Sequence, residues 1–333
     1  MRWKAAAAAV VPLLLWTVQS LAQTAGLDAF QRPETVPFPA EAPYNREIAT
    51  LGKMLFFDPR LSGGQNISCS SCHNPSFGWE VPVPKAIGAA GTPIQRHAPT
   101  ILNAAWVTPL FWDGRAGSLE EQAIGPITAP EEMNATFDGI TERLSAVHDY
   151  RIWFDRLFPE RGIRKETVLT ALATYQRTIV SGVAGFDRWV DGDETAVSDA
   201  AKRGFALFTG RANCVSCHTG WMFTDNKMHD IGLQSSDPGG SGLVPREADQ
   251  NVRFKTPGLR NIALRAPYMH DGSLSSLEEV IRHYAAGAAA AADRSTDIDG
   301  FALTSDETAD LIAFLETLTD TETNVQTPIL PAN

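Results

Sequence analysis

The amino-acid sequence predicts a mainly α chain of two similar halves, threaded by long irregular loops. Three observations carry this reading. Every cysteine falls in one of two C-x-x-C-H units, Cys69-Ser-Ser-Cys72-His73 and Cys214-Val-Ser-Cys217-His218. Each unit is followed by the same module: "APTILNAA" (Ala98–Ala105) and "FWDGRAGSLEEQA" (Phe111–Ala123) in the first half, "TPGLRNIA" (Thr256–Ala263) and "MHDGSLSSLEEVI" (Met269–Ile281) in the second. The spacings Pro99–Asn103, Pro99–Asp113 and Asp113–Glu120 recur without a gap as Pro257–Asn261, Pro257–Asp271 and Asp271–Glu278, the mark of an internal repeat. Strand-like alternation, by contrast, is scarce.

Taken in chain order, the opening "MRWKAAAAAVVPLLLWTVQSLAQ" has two early cations and an apolar run, and then a small-x-small end at Ser20-Leu21-Ala22. It reads as a secretory signal (1–22) cleaved near Ala22, too short for a comfortable membrane span. The expected layout is a first domain over 23–195, a second over 196–320 and a tail over 321–333. The acidic stretch "DGDETAVSD" (Asp191–Asp199) forms the boundary. Gly52-Lys-Met-Leu55-Phe56 and Gly204-Phe-Ala-Leu207-Phe208 are matching helical segments that lead into the two cysteine units. In each module Asp-Gly reads as a turn and Ser-Leu-Glu-Glu as a helix start. Val81–Gly91 and Gln234–Pro245, rich in Pro, Gly or Ser, read as loops. Leu277, Val280, Ile281 and Tyr284 share one helical face, and His283 points away from it. Thr304-Ser-Asp-Glu307 is a capping box ahead of a helix over 305–319, which presents Leu311, Ile312, Leu315 and Leu318 on one side and can pack back on the first domain.

The C-x-x-C-H unit holds two thiols one helical turn apart, which suits thioether bonds to the two vinyl groups of one haem. The next residue's imidazole can then bind the iron. A zinc ribbon uses closer pairs, a thioredoxin-like motif needs one pair and no histidine, and two short disulfides leave both histidines unexplained. The cofactors predicted are therefore two covalently bound c-type haems, and the fold two cytochrome-c-like haem domains related by internal duplication. With 39 acidic against 28 basic residues, a net charge of −11, the chain has no basic face for a nucleic acid.

These motifs, together with "FWDGRAGSLEEQAIGPITAPEEM" and "TPGLRNIALRAPYMHDGSLSSLEEV", resemble those of the bacterial di-haem cytochrome c peroxidase and MauG family, from about Asn45 to Leu318. The resemblance makes the first haem (Cys69, Cys72, His73) peroxidatic and the second (Cys214, Cys217, His218) electron-transferring. His73 and His218 would ligate iron. Trp112 matches a tryptophan between the haems, and Gln122 and Glu132 match the polar pair on the open face of the first. A carboxylate in a desolvated pocket can carry a proton from one peroxide oxygen to the other, and an amide can orient the peroxide. The kept frame with changed residues, Trp112 and Gln122 against His270 and Val280, then separates a reactive site from an electron-handling one.

Three departures shape the expectation. Ala89 stands where many such peroxidases carry a histidine that blocks the first iron, which leaves the site open unless His97 substitutes. His97 itself stands where the family has a calcium-binding asparagine. The carbonyls of Arg265 and Pro267 match the other calcium contacts, yet imidazole is a poor calcium ligand and Arg265 adds positive charge. Tyr284 stands where many peroxidases place a methionine on the second iron, as in MauG; Met269 or an open position are the alternatives. A phenolate ligand stabilises ferric iron, whereas methionine raises the potential. His148 is read as a surface residue, and His229 and His270 as structural hydrogen-bonding groups near the second haem.

The expected activity is an exported, periplasmic di-haem peroxidase reducing hydrogen peroxide with electrons from a small cytochrome c or cupredoxin, with a homodimer as the form the resemblance suggests. One alternative is MauG-like oxidation of a protein substrate's side chain through a high-valent di-haem state. From another class comes a plain di-haem electron carrier.

Overall fold

In the computed structural model of the chain, residues 26–233, 235–240, 252–287, 298–320 and 325–332 are described. The expected signal sequence, half of Gln234–Pro245 and the Ala-rich run after Gly287 lie outside them. The longer helices are α1 (Arg46–Phe57), α2 (Leu119–Thr128), α3 (Phe137–Ala146), α4 (His148–Leu157), α5 (Lys165–Arg177), α6 (Gly185–Val190), α7 (Asp199–Thr209), α8 (Leu277–Ala286) and α9 (Ser305–Glu316). Among the described residues, the strands are the short antiparallel pair β1 (Met228–His229) and β2 (Phe254–Lys255).

Each half is built on one tight helix crossing, α1 on α5 and α7 on α9. Glycine makes both possible. A Cβ on Gly52 would sit 1.9 Å from the Ala171 carbonyl oxygen, and one on Gly204 1.9 Å from that of Asp310. Only a residue without a side chain lets the backbones approach this closely. Leu51, Leu55 and Phe56 of α1 are buried with Ala171 and Leu172 of α5. The second core is aromatic: Phe205 and Phe208 of α7 meet Phe314 of α9 at 5.3 and 5.0 Å between ring centroids.

The repeated module follows each crossing with the same backbone devices. Asn103 and Asn261 both have positive φ, as do Phe111 and Met269. The Asn103 N–H donates to the Ile179 carbonyl (2.8 Å) and the Asn261 N–H to that of Leu318 (3.0 Å), so each module clamps the chain just past its own half's packing helix. Ser118 caps α2 through the Glu121 N–H, and Ser276 caps α8 through that of Glu279, both at 3.1 Å. The capping box at Thr304 and Glu307 is present.

Two features differ from the expected layout. Helix α9 packs on α7 in the second core, because Gly204 opens the crossing to it. It is Val325 and Leu330, beyond that helix, that lie against the first core. Phe186 and Trp189, which precede the expected boundary, join the second core with Leu27 and Phe30. Apolar surface goes where a complementary aromatic wall exists, whatever the composition of the nearby linker.

Candidate functional site

The first cysteine unit forms a single helical turn, Cys69–Cys72, and the second a shorter one over Cys214–Ser216. In both, the following histidine is fixed by its Nδ1. His73 Nδ1 lies 3.3 Å from the Trp79 carbonyl oxygen, and His218 Nδ1 lies 2.9 Å from that of Phe223. These contacts orient each ring and leave its Nε2 free for a metal. Burial lowers both imidazole pKa values, which favours the neutral, metal-binding form.

Beside the second unit lies a cavity of about 350 Å³, lined by Cys214, Cys217, His218, Phe208, Leu259 and Met269 among others. All four residues of the predicted α8 face, Leu277, Val280, Ile281 and Tyr284, line it; His283 instead meets the Ile231 carbonyl oxygen at 2.7 Å. Burial pushes the Tyr284 phenol well above its usual value. Lys255 also lines the cavity, without an ion pair among the described residues; burial, then the nearby Arg265 charge, pulls its ammonium down to about 8. Apolar walls, two thiols, an oriented imidazole and an unneutralised cation fit a haem, whose propionates supply carboxylates.

At the first unit the structure brings Glu132 and Ala89 together. The Ala89 N–H donates to the Glu132 carbonyl at 2.7 Å, and the Ala89 carbonyl accepts from Asn66 Nδ2 at 3.0 Å. Burial pushes the Cys72 thiol up to about 11, and the Glu132 carboxylate adds to the effect. Burial also raises the Glu132 carboxyl pKa, with the Arg115 guanidinium opposing it. Gln122 is half-buried on α2, whose C-terminal end receives the turn that carries Glu132: the Glu132 N–H donates to Ala129 and the Ala129 N–H to Gly125.

Trp112 sits between the halves. It is 9% exposed, lines the second cavity, and donates its indole N–H to the His97 carbonyl at 2.8 Å. Its counterpart His270 is buried, stacked on Phe254 with ring centroids 3.7 Å apart, and accepts the His97 N–H on its carbonyl. The twin positions thus meet on the two sides of one residue's backbone. His229 lines the same cavity and meets Asp225 at 2.8 Å, while His148 is exposed.

The calcium expectation does not fit. His97 is 2% exposed, and both its ring nitrogens are engaged, Nδ1 by the Val83 and Pro84 carbonyls and Nε2 by Glu80. Its ring lies near enough to His73 to act on it electrostatically. Arg265 brings a guanidinium onto Glu80 in the same place. The positive charge of Arg265 was legible in the sequence, but its partner Glu80, an isolated charge in the other half without a motif around it, was not.

Residues 46–195 match the family described as di-haem cytochrome c peroxidase, and residues 201–319 match cytochrome c. The chain is 48% identical to the methylamine utilization protein MauG of Methylorubrum extorquens over 91% of its own length and 86% of that protein's. It is 36% identical to a cytochrome c551 peroxidase of Nitrosomonas europaea, over 96% of its length and 94% of that protein's. A crystal structure of a MauG-like protein associated with microbial copper homeostasis superposes with a TM-score of 0.81 at 33% identity, covering 88% of this chain and 95% of that one.

Proposed function

The chain belongs to the di-haem cytochrome c peroxidase family, an oxidoreductase family whose members hold two covalent c-type haems, and from that premise we propose that it is an exported enzyme reducing hydrogen peroxide to water with electrons from a small donor protein. The observation that carries the proposal is the half-buried Glu132 beside Cys72, whose backbone carbonyl receives the Ala89 N–H. It supplies a carboxylate with a raised pKa on a segment bonded to a residue that cannot ligate iron.

When bound, the haems supply the redox chemistry that delivers two electrons to the O–O bond. The protein's part is to hold and move protons and to fix geometry. Glu132, as carboxylate, takes the proton from one peroxide oxygen and returns it to the departing one, so that peroxide, two electrons and two solvent protons yield two waters. Gln122 orients the peroxide without titrating. His73, steered by the Trp79 carbonyl, would hold the iron. Trp112, locked by its bond to His97, is the electron path between the halves.

A second reading is favoured by Tyr284 in the second cavity: peroxide-dependent oxidation of a protein side chain, as in the MauG relatives, with the substrate protein in place of the donor. A phenolate there would hold the second iron oxidised and make it a poor acceptor from an ordinary donor.

Rapid mixing of hydrogen peroxide with the fully oxidised, haem-loaded protein tests the common core of both readings. A prompt optical change is expected. Reaction only after one haem is reduced would overturn the open-site assignment of Ala89, and no reaction in either state would leave an electron carrier.

A further inference from the structure

His97, the residue at the matched calcium position, faces a carboxylate that is already paired with a cation from the other half. Arg265, from the second half, lays Nε and Nη2 on Glu80 Oε1 of the first half at 2.9 and 2.8 Å. Its Nη1 donates to the Gly258 and Arg260 carbonyls at 2.7 and 3.1 Å. The other Glu80 oxygen faces His97 Nε2 at 3.2 Å, and the Thr100 N–H reaches Oε1 at 2.9 Å. Glu80 is 3% and Arg265 4% exposed. Room for the arginine stem comes from Gly78, where a Cβ would lie 2.5 Å from Arg265 Cγ.

We propose that the Arg265 guanidinium replaces calcium as the inter-domain cation, so that this protein joins its two haem domains without a metal. Calcium needs six to eight oxygens at about 2.3–2.6 Å. Here the Glu80 oxygens and the Gly258 and Arg260 carbonyls already accept N–H groups, and any arriving cation meets the guanidinium charge. The joint reaches both haem sites. Glu80 adjoins Trp79, whose carbonyl orients His73, and His97 carries the carbonyl that holds Trp112. A cation that is part of the chain cannot be chelated away.

The test uses the haem-loaded protein, dialysed against calcium and then against buffer. Metal analysis is expected to find no stoichiometric calcium, and a chelator should leave the Tm unchanged. One retained calcium per chain, or a Tm lowered by several degrees with chelator, would overturn the proposal. Arg265→Gln leaves the buried Glu80 without its guanidinium partner and should lower Tm by roughly 10 °C. Adding Glu80→Gln to it should recover about half of that loss, since a neutral pair has no orphaned charge. Losses that simply add in the double variant would sink the ion-pair argument. If Arg265→Gln does not fold, the wild-type calcium content and the stability of the double variant still decide.

Discussion

The two halves of the molecule use one frame for two environments. Each has a glycine-mediated helix crossing, an asparagine clamp in positive φ, a serine-capped helix after the module, and a haem-ligand histidine steered by a backbone carbonyl. Beside the first cysteine unit the chain adds a half-buried carboxylate, Glu132; beside the second it adds an apolar wall ending in a tyrosine. The frame therefore fixes where a haem sits, while a few side chains fix what each haem does. Two halves that share a frame can divide labour by changing positions that face the cofactor and leaving alone those that face the backbone.

The sharpest way to break this comparison is Glu132→Gln. The rate of the peroxide reaction should fall by about 10²–10³ in stopped-flow mixing, whereas Val280→Ala at the position matching Gln122 should leave it within about twofold. Because burial raises the Glu132 pKa, the carboxylate that acts as base forms only at a pH above the ordinary glutamate value of 4.5. The rate should fall as pH drops through that raised value, and the acid limb should vanish in Glu132→Gln. An unchanged limb would take the proton step away from this residue.

Next in size, Gly52→Ala and Gly204→Ala should each cost about 2–3 kcal/mol or prevent folding, because the added methyl meets a carbonyl that cannot move. Chemical denaturation of the two variants should show similar losses; a harmless change in one half alone would mean that the crossings are not equivalent. Tyr284→Phe should alter the second haem's absorption spectrum and raise its potential by on the order of 100 mV, if the phenol serves as ligand. An unaltered spectrum would reduce Tyr284 to a core residue. The smallest effects belong to the caps: Ser118→Ala and Ser276→Ala should each lower stability by about 1 kcal/mol.

Much of this was legible before any coordinates. The cysteine units announced themselves, the module landmarks predicted the paired turns and caps, and helical periodicity alone put Tyr284 with Leu277, Val280 and Ile281 and turned His283 away. Glu80, and its pairing with Arg265, stayed hidden for a physical reason. A long-range ion pair has no period and no local signature, and its meaning arises only when two distant loops are brought together. The allegiance of Phe186 and Trp189 was equally silent, since an aromatic residue beside a linker can serve either core.

Phe30 stacks on Phe223 with centroids 5.0 Å apart and meets Phe186 and Phe205 edge-on. The second core is thus closed by nearly the first residues of the described chain, and Phe314 stands at its other end. A polypeptide made from its N-terminus presents Phe30 long before its partners arrive. That segment must wait, exposed, while the first half is made, so final closure comes late in folding. Long-range closure of this kind is slow and vulnerable to aggregation. Dependence on a holding chaperone should therefore be strongest for this N-terminal segment.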